Sequence, residues 1–489
     1  LPLSDYEIII GLEVHVELKT DSKLFCACAT RFGSEPNSQV CPVCLGLPGA
    51  LPVLNEKALE YAIIAGAALN CEIAEFSKFD RKHYFYPDLP KAYQVSQYDL
   101  PFGKNGWVEI PAQNGDSDTF KTVGIIRIHL EEEAGKTVHS GRGILDSDYV
   151  MEDYNRCGIP LIEIVSAPDL RSPKEARAYL EKLKVLLLYT EISDCKMEEG
   201  SLRCDANISL RPQGMKELGV LTEIKNMNSF RAVEAALEYE ALRQAKLLDS
   251  GVKISKQTRV WDENKGITVF MRSKEESDDY RYFTDPDLPP VTIERSRVEE
   301  LRRNLPEFPD ARRKRYIAHW GLPEYDAELI SGSRSMAEFF EATVSLYGDA
   351  KTVGNWVLGE VTHLTNREGF EFDQLKLAPE GLAKLLKLID TGKISGKTGK
   401  AVLEVMFLTG KDPELIITEQ ELTQISDAGE LERLVVKALD ANPKPAADYL
   451  RGKEQALAFL VGQIMRETKG RANPGMVNQL LKQELDKRR

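Results

Sequence analysis

Five separated stretches of the chain share one alternation. From Ser201 on, Ser201, Arg203, Asp205, Asn207 and Ser209 alternate with Leu202, Cys204, Ala206, Ile208 and Leu210. Successive side chains of a strand point to opposite faces. This spacing therefore predicts a strand with one apolar face and one face bearing an arginine, a carboxylate and an amide. Gly200, just before it, permits a sharp turn. In GLEVHVEL (11–18), Glu13, His15 and Glu17 alternate with apolar residues, as do Arg127, His129 and Glu131 in IIRIHLEEEAGK (125–136). Glu163 lies amid apolar residues in IPLIEIVS (159–166), and Glu223 and Lys225 flank Ile224 in LTEIKNMNSF (221–230). One such strand alone reads as an ordinary solvated face. Five of the same design predict one antiparallel sheet whose back packs on a core and whose front is a polar reaction surface.

Elsewhere the period changes. LGLPGALPVLN (45–55) leads into a predicted helix over about 55–69, with Ala58, Ala62, Ala65 and Leu69 on one close-packing face. Residues 255–290 read as mostly irregular with short strands, and Pro286, Pro289 and Pro290 mark a boundary. Beyond it apolar residues recur at three and four, for instance Val353, Trp356, Val357 and Val361, predicting helices. The expected class is α+β. A domain at 1–294 is built on an antiparallel sheet with a catalytic polar face; an all-helical domain (295–410) and a helical tail domain (411–489) follow.

Composition narrows the chemistry. At 489 residues the chain suits about three domains. A net charge of −13 argues against a generic nucleic-acid coat. The tail departs from that balance. From 451 on, Arg451, Lys453, Arg466, Lys469, Arg471, Lys482, Lys487, Arg488 and Arg489 face only Glu454, Glu467, Glu484 and Asp486, a net +5. That excess suits contacts to an RNA backbone, the alternative being a solvated helix end. No apolar run approaches the ~18 residues of a membrane span, and the opening run YEIIIGLEV shows no signal peptide.

So many carboxylates on one sheet face repel each other unless cations intervene, which argues for a bound divalent metal. A second metal candidate is Cys26, Cys28, Cys41 and Cys44, spaced C-x-C-x12-C-x2-C within 26–44. Two close pairs on turns suit a tetrahedral, structural zinc with four thiolates. Cys71, Cys157, Cys195 and Cys204 are scattered in apolar contexts and read as core residues. In FDRKHYFYPDLPKAYQVSQYD (79–99), Tyr84, Phe85, Tyr86, Lys91, Tyr93 and Gln94 suit stacking on a base or ribose, or else a packing loop. GKISGKT (392–398) imitates a phosphate loop, but its glycine spacing is short and it follows a helical run. A glycine/serine-rich amidase nucleophile motif is absent from the sequence.

GLEVHVEL, LPGALPVLN, FDRKHYFYPDLPKAYQVSQ, HLEEEAGK, DYNRCGIPLIEIVSAPD, MEEGSLRCDANIS, EIKNMNSF and SDDYRYFTDPDL, in this order, resemble the B-subunit family of the bacterial aspartyl/glutamyl-tRNA amidotransferases. The resemblance runs from near residue 6 to the C-terminus. It implies a cytoplasmic heterotrimer with an amidase-like A subunit and a small C subunit, forming Gln-tRNA(Gln) from Glu-tRNA(Gln), or Asn-tRNA(Asn) from Asp-tRNA(Asn). The B subunit would activate the side-chain carboxylate with ATP, ammonia arriving from the A subunit. The resemblance further implies Mg²⁺ held by His15, Glu132 and Glu163, with Glu13 and Asp205 as neighbours. Alternation instead puts Glu131 on the sheet face. Arg203, Lys136 and Lys225 are the expected phosphate partners, because a transferring phosphoryl group needs cations. Tyr84, Tyr86, Lys91 and Tyr93 are expected to meet substrate. KGRANPGMVNQLLKQEL, with Lys469 and Arg471, is similar to the family's tRNA-binding tail. A non-catalytic, zinc-containing tRNA-binding scaffold is the alternative reading.

Overall fold

The computed structural model describes residues 3–112, 119–140, 148–273, 280–422, 428–451, 453–468 and 471–488. They form two compact units, Leu1–Pro306 and Glu307–Arg489. The first is organised on a nine-stranded sheet: β1 (Tyr6–Glu17), β2 (Glu72–Ile73), β3 (Gly103–Pro111), β4 (Phe120–Glu132), β5 (Pro160–Ser166), β6 (Leu202–Pro212), β7 (Thr222–Lys225), β8 (Gln257–Asp262) and β9 (Ile267–Ser273). Their order across the sheet is β9-β8-β7-β6-β1-β5-β4-β3-β2, so the first strand lies in the middle.

All neighbours pair antiparallel except β7 and β8. The exception to the expected antiparallel sheet has a local cause. After β7 the chain runs through helix α3 (Phe230–Asp249) before returning as β8, the long crossover that parallel strands require. Helix α1 (Glu56–Ala68) covers its predicted span, and Ala58, Ala62, Ala65 and Leu69 are all buried. Helix α2 is Pro173–Tyr189. Ser172 caps it by accepting from the Glu175 amide at 3.1 Å, with Pro173 in the first turn, where its missing N–H costs nothing.

One face of the sheet is the core. Leu12, Val14, Val16, Ile128, Leu130, Ile162, Ile164, Leu202, Ala206, Ile208 and Ile224 are buried there, as are Tyr179, Leu180, Leu183 and Leu187 of α2 and Val233, Leu237 and Ala241 of α3. Each fully buried Leu or Ile side chain contributes about 1.5–3 kcal/mol. That apolar back holds the opposite, polar face in register.

The named elements of the second unit are all helices, and none of them is long and apolar enough to cross a membrane. GKISGKT belongs here: Ser395 caps a helix over Gly396–Thr409 and accepts from the Thr398 amide, with no strand before it. Buried apolar residues form one cluster from Tyr316 to Ile417 and another from Leu431 to Leu485.

Candidate active site

The strand register lines four polar side chains across the sheet. His129 on β4 is opposite Glu163 on β5, Glu163 is opposite His15 on β1, and His15 is opposite Arg203 on β6. Two residues along β1, Glu13 is opposite Asp205, and Asn207 is opposite Glu223 of β7. Gly200 takes φ +85° at the turn before β6, where a side chain would be strained. The paired side chains of β1, β4, β5, β6 and β7 line a cavity of about 580 Å³ together with Glu131, Glu133, Lys225, Arg127, Arg156 and Tyr84.

His15, Glu131 and Glu163 converge. His15 Nε2 stands 3.7 Å from Glu131 Oε1 and 3.6 Å from Glu163 Oε2, too long for hydrogen bonds. One donor atom from each lies within 4.8 Å of the other two. Ligands about 2.1 Å from one ion stand about 3 Å apart at octahedral angles, so a nitrogen and two carboxylate oxygens so placed fit a small divalent cation. Next to them the buried His129 puts Nε2 3.1 Å from Glu163 Oε2, while its Nδ1 has no hydrogen-bond partner among the described residues. Burial works to raise the Glu163 carboxyl, but His129 and His15 hold it well below the usual carboxylate range. Glu13 moves the other way, pushed up by burial and by Glu163. Asn207 Nδ2 donates to Glu13 Oε1 at 2.8 Å.

The structure sets Glu132 apart from His15 and Glu163, with which the resemblance groups it. Glu132 is the last residue of β4, and its carboxylate lies on the opposite side from His15. It pairs with Lys91 and accepts from the Val95 amide at 3.0 Å. Glu131, two residues along β4 from His129, is on the same face as the row, as a period of two requires, and Ser96 Oγ donates to it at 3.1 Å. Lys136 departs from the expected phosphate group as well. It is exposed on a hairpin of Lys136–His139 with Val150–Asp153 and is not among the residues lining the cavity.

Cations are fixed around the row by acids. Arg203 pairs with Glu133, which also stands 3.9 Å from Arg156. Lys225 pairs with Asp205 and lies 3.3 Å from Glu223. Burial opposes its charge, but Asp205 and Glu223 keep the ammonium above its usual range. The aromatic residues separate. Tyr84 lines the large cavity, Tyr86 is exposed outside it, and Lys91 and Tyr93 line a second cavity of about 220 Å³ beside the cysteines. Sequence reasoning left out Tyr98, Tyr280 and Tyr282 as site residues, yet they share the wall with Tyr84. Tyr98 and Tyr282 stack at 4.1 Å. The signal was the YRY of SDDYRYFTDPDL, which joins the wall through the 283–284 strand beside Asp80–His83.

Cys26, Cys28, Cys41 and Cys44 place their sulfurs within 4.8 Å of one another. The first pair sits where the chain doubles back, Ser22 bridging to Ala29. The second is a knuckle in which the Leu45 amide donates to Cys41 O, Gly46 turns at φ +66°, and the Cys41 amide donates to Cys44 Sγ at 3.1 Å. Four convergent thiols without a disulfide are a donor set that suits a tetrahedral metal ion. The Cys44 thiol is lowered to about 4, chiefly by a hydrogen bond from Cys26.

In the tail, Lys469 lies outside the described residues. Arg471 is turned inward, donating to the carbonyls of Thr468 and Glu421 at 3.3 Å.

Known proteins are similar to this chain over both units. Residues 8–299 match the family model described as the GatB/GatE catalytic domain, and residues 338–485 match the GatB domain. Full-length similarity is found to proteins named as the B subunit of aspartyl/glutamyl-tRNA(Asn/Gln) amidotransferase. That of Carboxydothermus hydrogenoformans is 58% identical over 485 residues, covering 99% of this chain and 100% of the relative. That of Caldanaerobacter subterraneus subsp. tengcongensis is 58% identical over 482 residues, and that of Geobacillus thermodenitrificans 56% over 484, with the same coverage.

Proposed function

Because the chain belongs to the GatB/GatE family and matches the B subunits of tRNA-dependent amidotransferases from end to end, we propose that its sheet face is where the side-chain carboxylate of Glu-tRNA(Gln) or Asp-tRNA(Asn) is activated by ATP and amidated. The chain is an amidotransferase subunit, part of a glutamine-dependent carbon–nitrogen ligase. Its partners in this reading are an amidase-like A subunit, which releases ammonia, and a small C subunit, in the cytoplasm.

The carrying observation is the row His129–Glu163–His15–Arg203 with Glu131 beside it. A carboxylate is a poor electrophile, and converting it to an acyl phosphate is mostly a matter of position and charge. His15, Glu131 and Glu163 would hold Mg²⁺, which when bound neutralises phosphate charge. Arg203 and Lys225, held in place by Glu133 and Asp205, supply fixed positive charge to a phosphoryl group. Glu13, desolvated and hydrogen-bonded to Asn207, adjoins them and orients the polar end of the substrate. Tyr84 offers a ring face to a base or ribose at the same wall. The four cysteines would hold a structural zinc.

Reconstitution with the A and C partners tests this, with Glu-tRNA(Gln) and Asp-tRNA(Asn) assayed in parallel for ATP-dependent phosphorylation and amide formation. Amide formation without ATP consumption would refute it. Full-length relatives named as amidotransferase subunits do not favour the scaffold reading.

A further inference from the structure

Lys23 is fully buried, an unusual state for an ammonium group, which is tolerated inside a protein only beside a compensating charge. Its Nζ lies 3.6 Å from Cys44 Sγ and 3.2 Å from the Tyr154 carbonyl. Among the described residues no carboxylate forms an ion pair with it. The acidic group within hydrogen-bond reach of it is the Cys44 sulfur; the Glu132 carboxylate, which lines the same cavity, is engaged by Lys91.

We propose that Lys23 is the buried counter-cation of the four-cysteine metal site, holding Cys44 as the thiolate ligand and anchoring the knuckle to the 154–158 turn. The inference rests on the zinc reading given above. Four thiolates around Zn²⁺ carry a net charge of about −2, and where water cannot reach, that charge must be met by N–H donors. Cys26, Cys28 and Cys41 are partly exposed, whereas Cys44 is buried, and Cys44 is the one that receives both the Cys41 amide and Lys23. The turn is tied to the same point by two further bonds. The Leu24 amide donates to Gly158 O at 2.8 Å, and the Cys157 thiol donates to Cys44 O at 3.5 Å. Lys23 thus acts through Cys44 and is a positioning residue.

The test uses the full chain loaded with Zn²⁺ and a chromophoric zinc chelator as competitor. Lys23→Met keeps the length of the side chain and removes its charge. The variant should still bind about one zinc but with about 10–100-fold weaker affinity, the range for loss of an outer partner of a metal ligand. Unchanged affinity would overturn the proposal while leaving the zinc reading intact. Absence of zinc from the unaltered protein, prepared reduced with metal supplied, would overturn both. Should Lys23→Met fail to fold, Cys44→Ser and Cys28→Ser are compared instead. Each removes one ligand, but only Cys44→Ser strips the buried ammonium of its anion, so its Tm should be the lower. Equal Tm values would count against Lys23.

Discussion

One peptide unit separates a carboxylate that faces His15 from one that faces Lys91, so single substitutions at Glu131 and Glu132 should have different consequences. Glu131→Gln is expected to raise the Mg²⁺ concentration needed for amide formation at least about tenfold, since on the proposed reading it removes a ligand and not an outer partner. Glu132→Gln should leave that requirement unchanged, whatever else it alters. Equal shifts in a magnesium titration of the two variants would refute the placement. His15→Ala and Glu163→Ala should abolish amide formation and leave the partner's glutaminase rate largely intact. Both rates are read from one reconstituted preparation. The scattered cysteines make a separate point. Burial pushes the thiols of Cys71 and Cys157 up to about 12 and that of Cys195 up to about 11. A raised thiol pKa keeps the group protonated and unreactive below that pH. Native protein at pH 8 should therefore leave these three unalkylated until denatured, as mass spectrometry of the labelled peptides would show.

At the scale of elements, helix α2 presses Tyr179 into the core with its hydroxyl buried and without a partner among the described residues. An unmet buried hydroxyl costs about 1–3 kcal/mol, so Tyr179→Phe should stabilise the protein by about 1 kcal/mol in denaturant unfolding. A loss of stability would mean the hydroxyl has a partner in solution. The same level shows what alternation could and could not reveal. A strand's period of two is rigid, so Glu13, His15, Glu163, Arg203, Asp205 and Lys225 were legible as polar-face residues from spacing alone. Glu131 was legible in the same way. The competing choice of Glu132 came from likeness of motif, and motif matching tolerates a shift of one residue that a pleated strand does not. Strand order was not legible, because β1 meets partners more than 140 residues away and no local signal encodes that pairing. Nor was the tyrosine wall, since Tyr98, Tyr280 and Tyr282 meet through short strands with little periodicity. Lys136 was expected among the phosphate partners because a phosphoryl group needs cations, but its short strand pairs with Val150–Asp153 and does not line the cavity.

At the scale of the whole molecule, Ile416 and Ile417 belong to the first helical cluster and Leu431 to the second. A tail deletion is therefore better begun after Leu422 than at 411, where it would open a core. If the tail grips RNA backbone, that deletion should raise KM for charged tRNA and flatten its salt dependence while leaving kcat nearly alone. Loss of kcat at unaltered KM would instead mean that the tail positions the acceptor end. Within the tail, Lys453, Lys487 and Arg488 are engaged by acids, whereas Arg451, Arg466 and Lys482 are exposed with no ion pair among the described residues. Alanine at Arg466 or Lys482 should each reduce the salt slope by about 1, and alanine at Lys453 by less. The central position of β1 has a consequence for biosynthesis. Its two neighbours, β5 and β6, leave the ribosome some 140–200 residues after it. At about 5–20 residues per second, the strand bearing His15 waits on the order of 10–40 s with both edges open, its apolar side unpacked. Nascent chains stalled before residue 160 should accordingly engage chaperones through this segment, and the catalytic face comes into being only when the last of its distant partners is made.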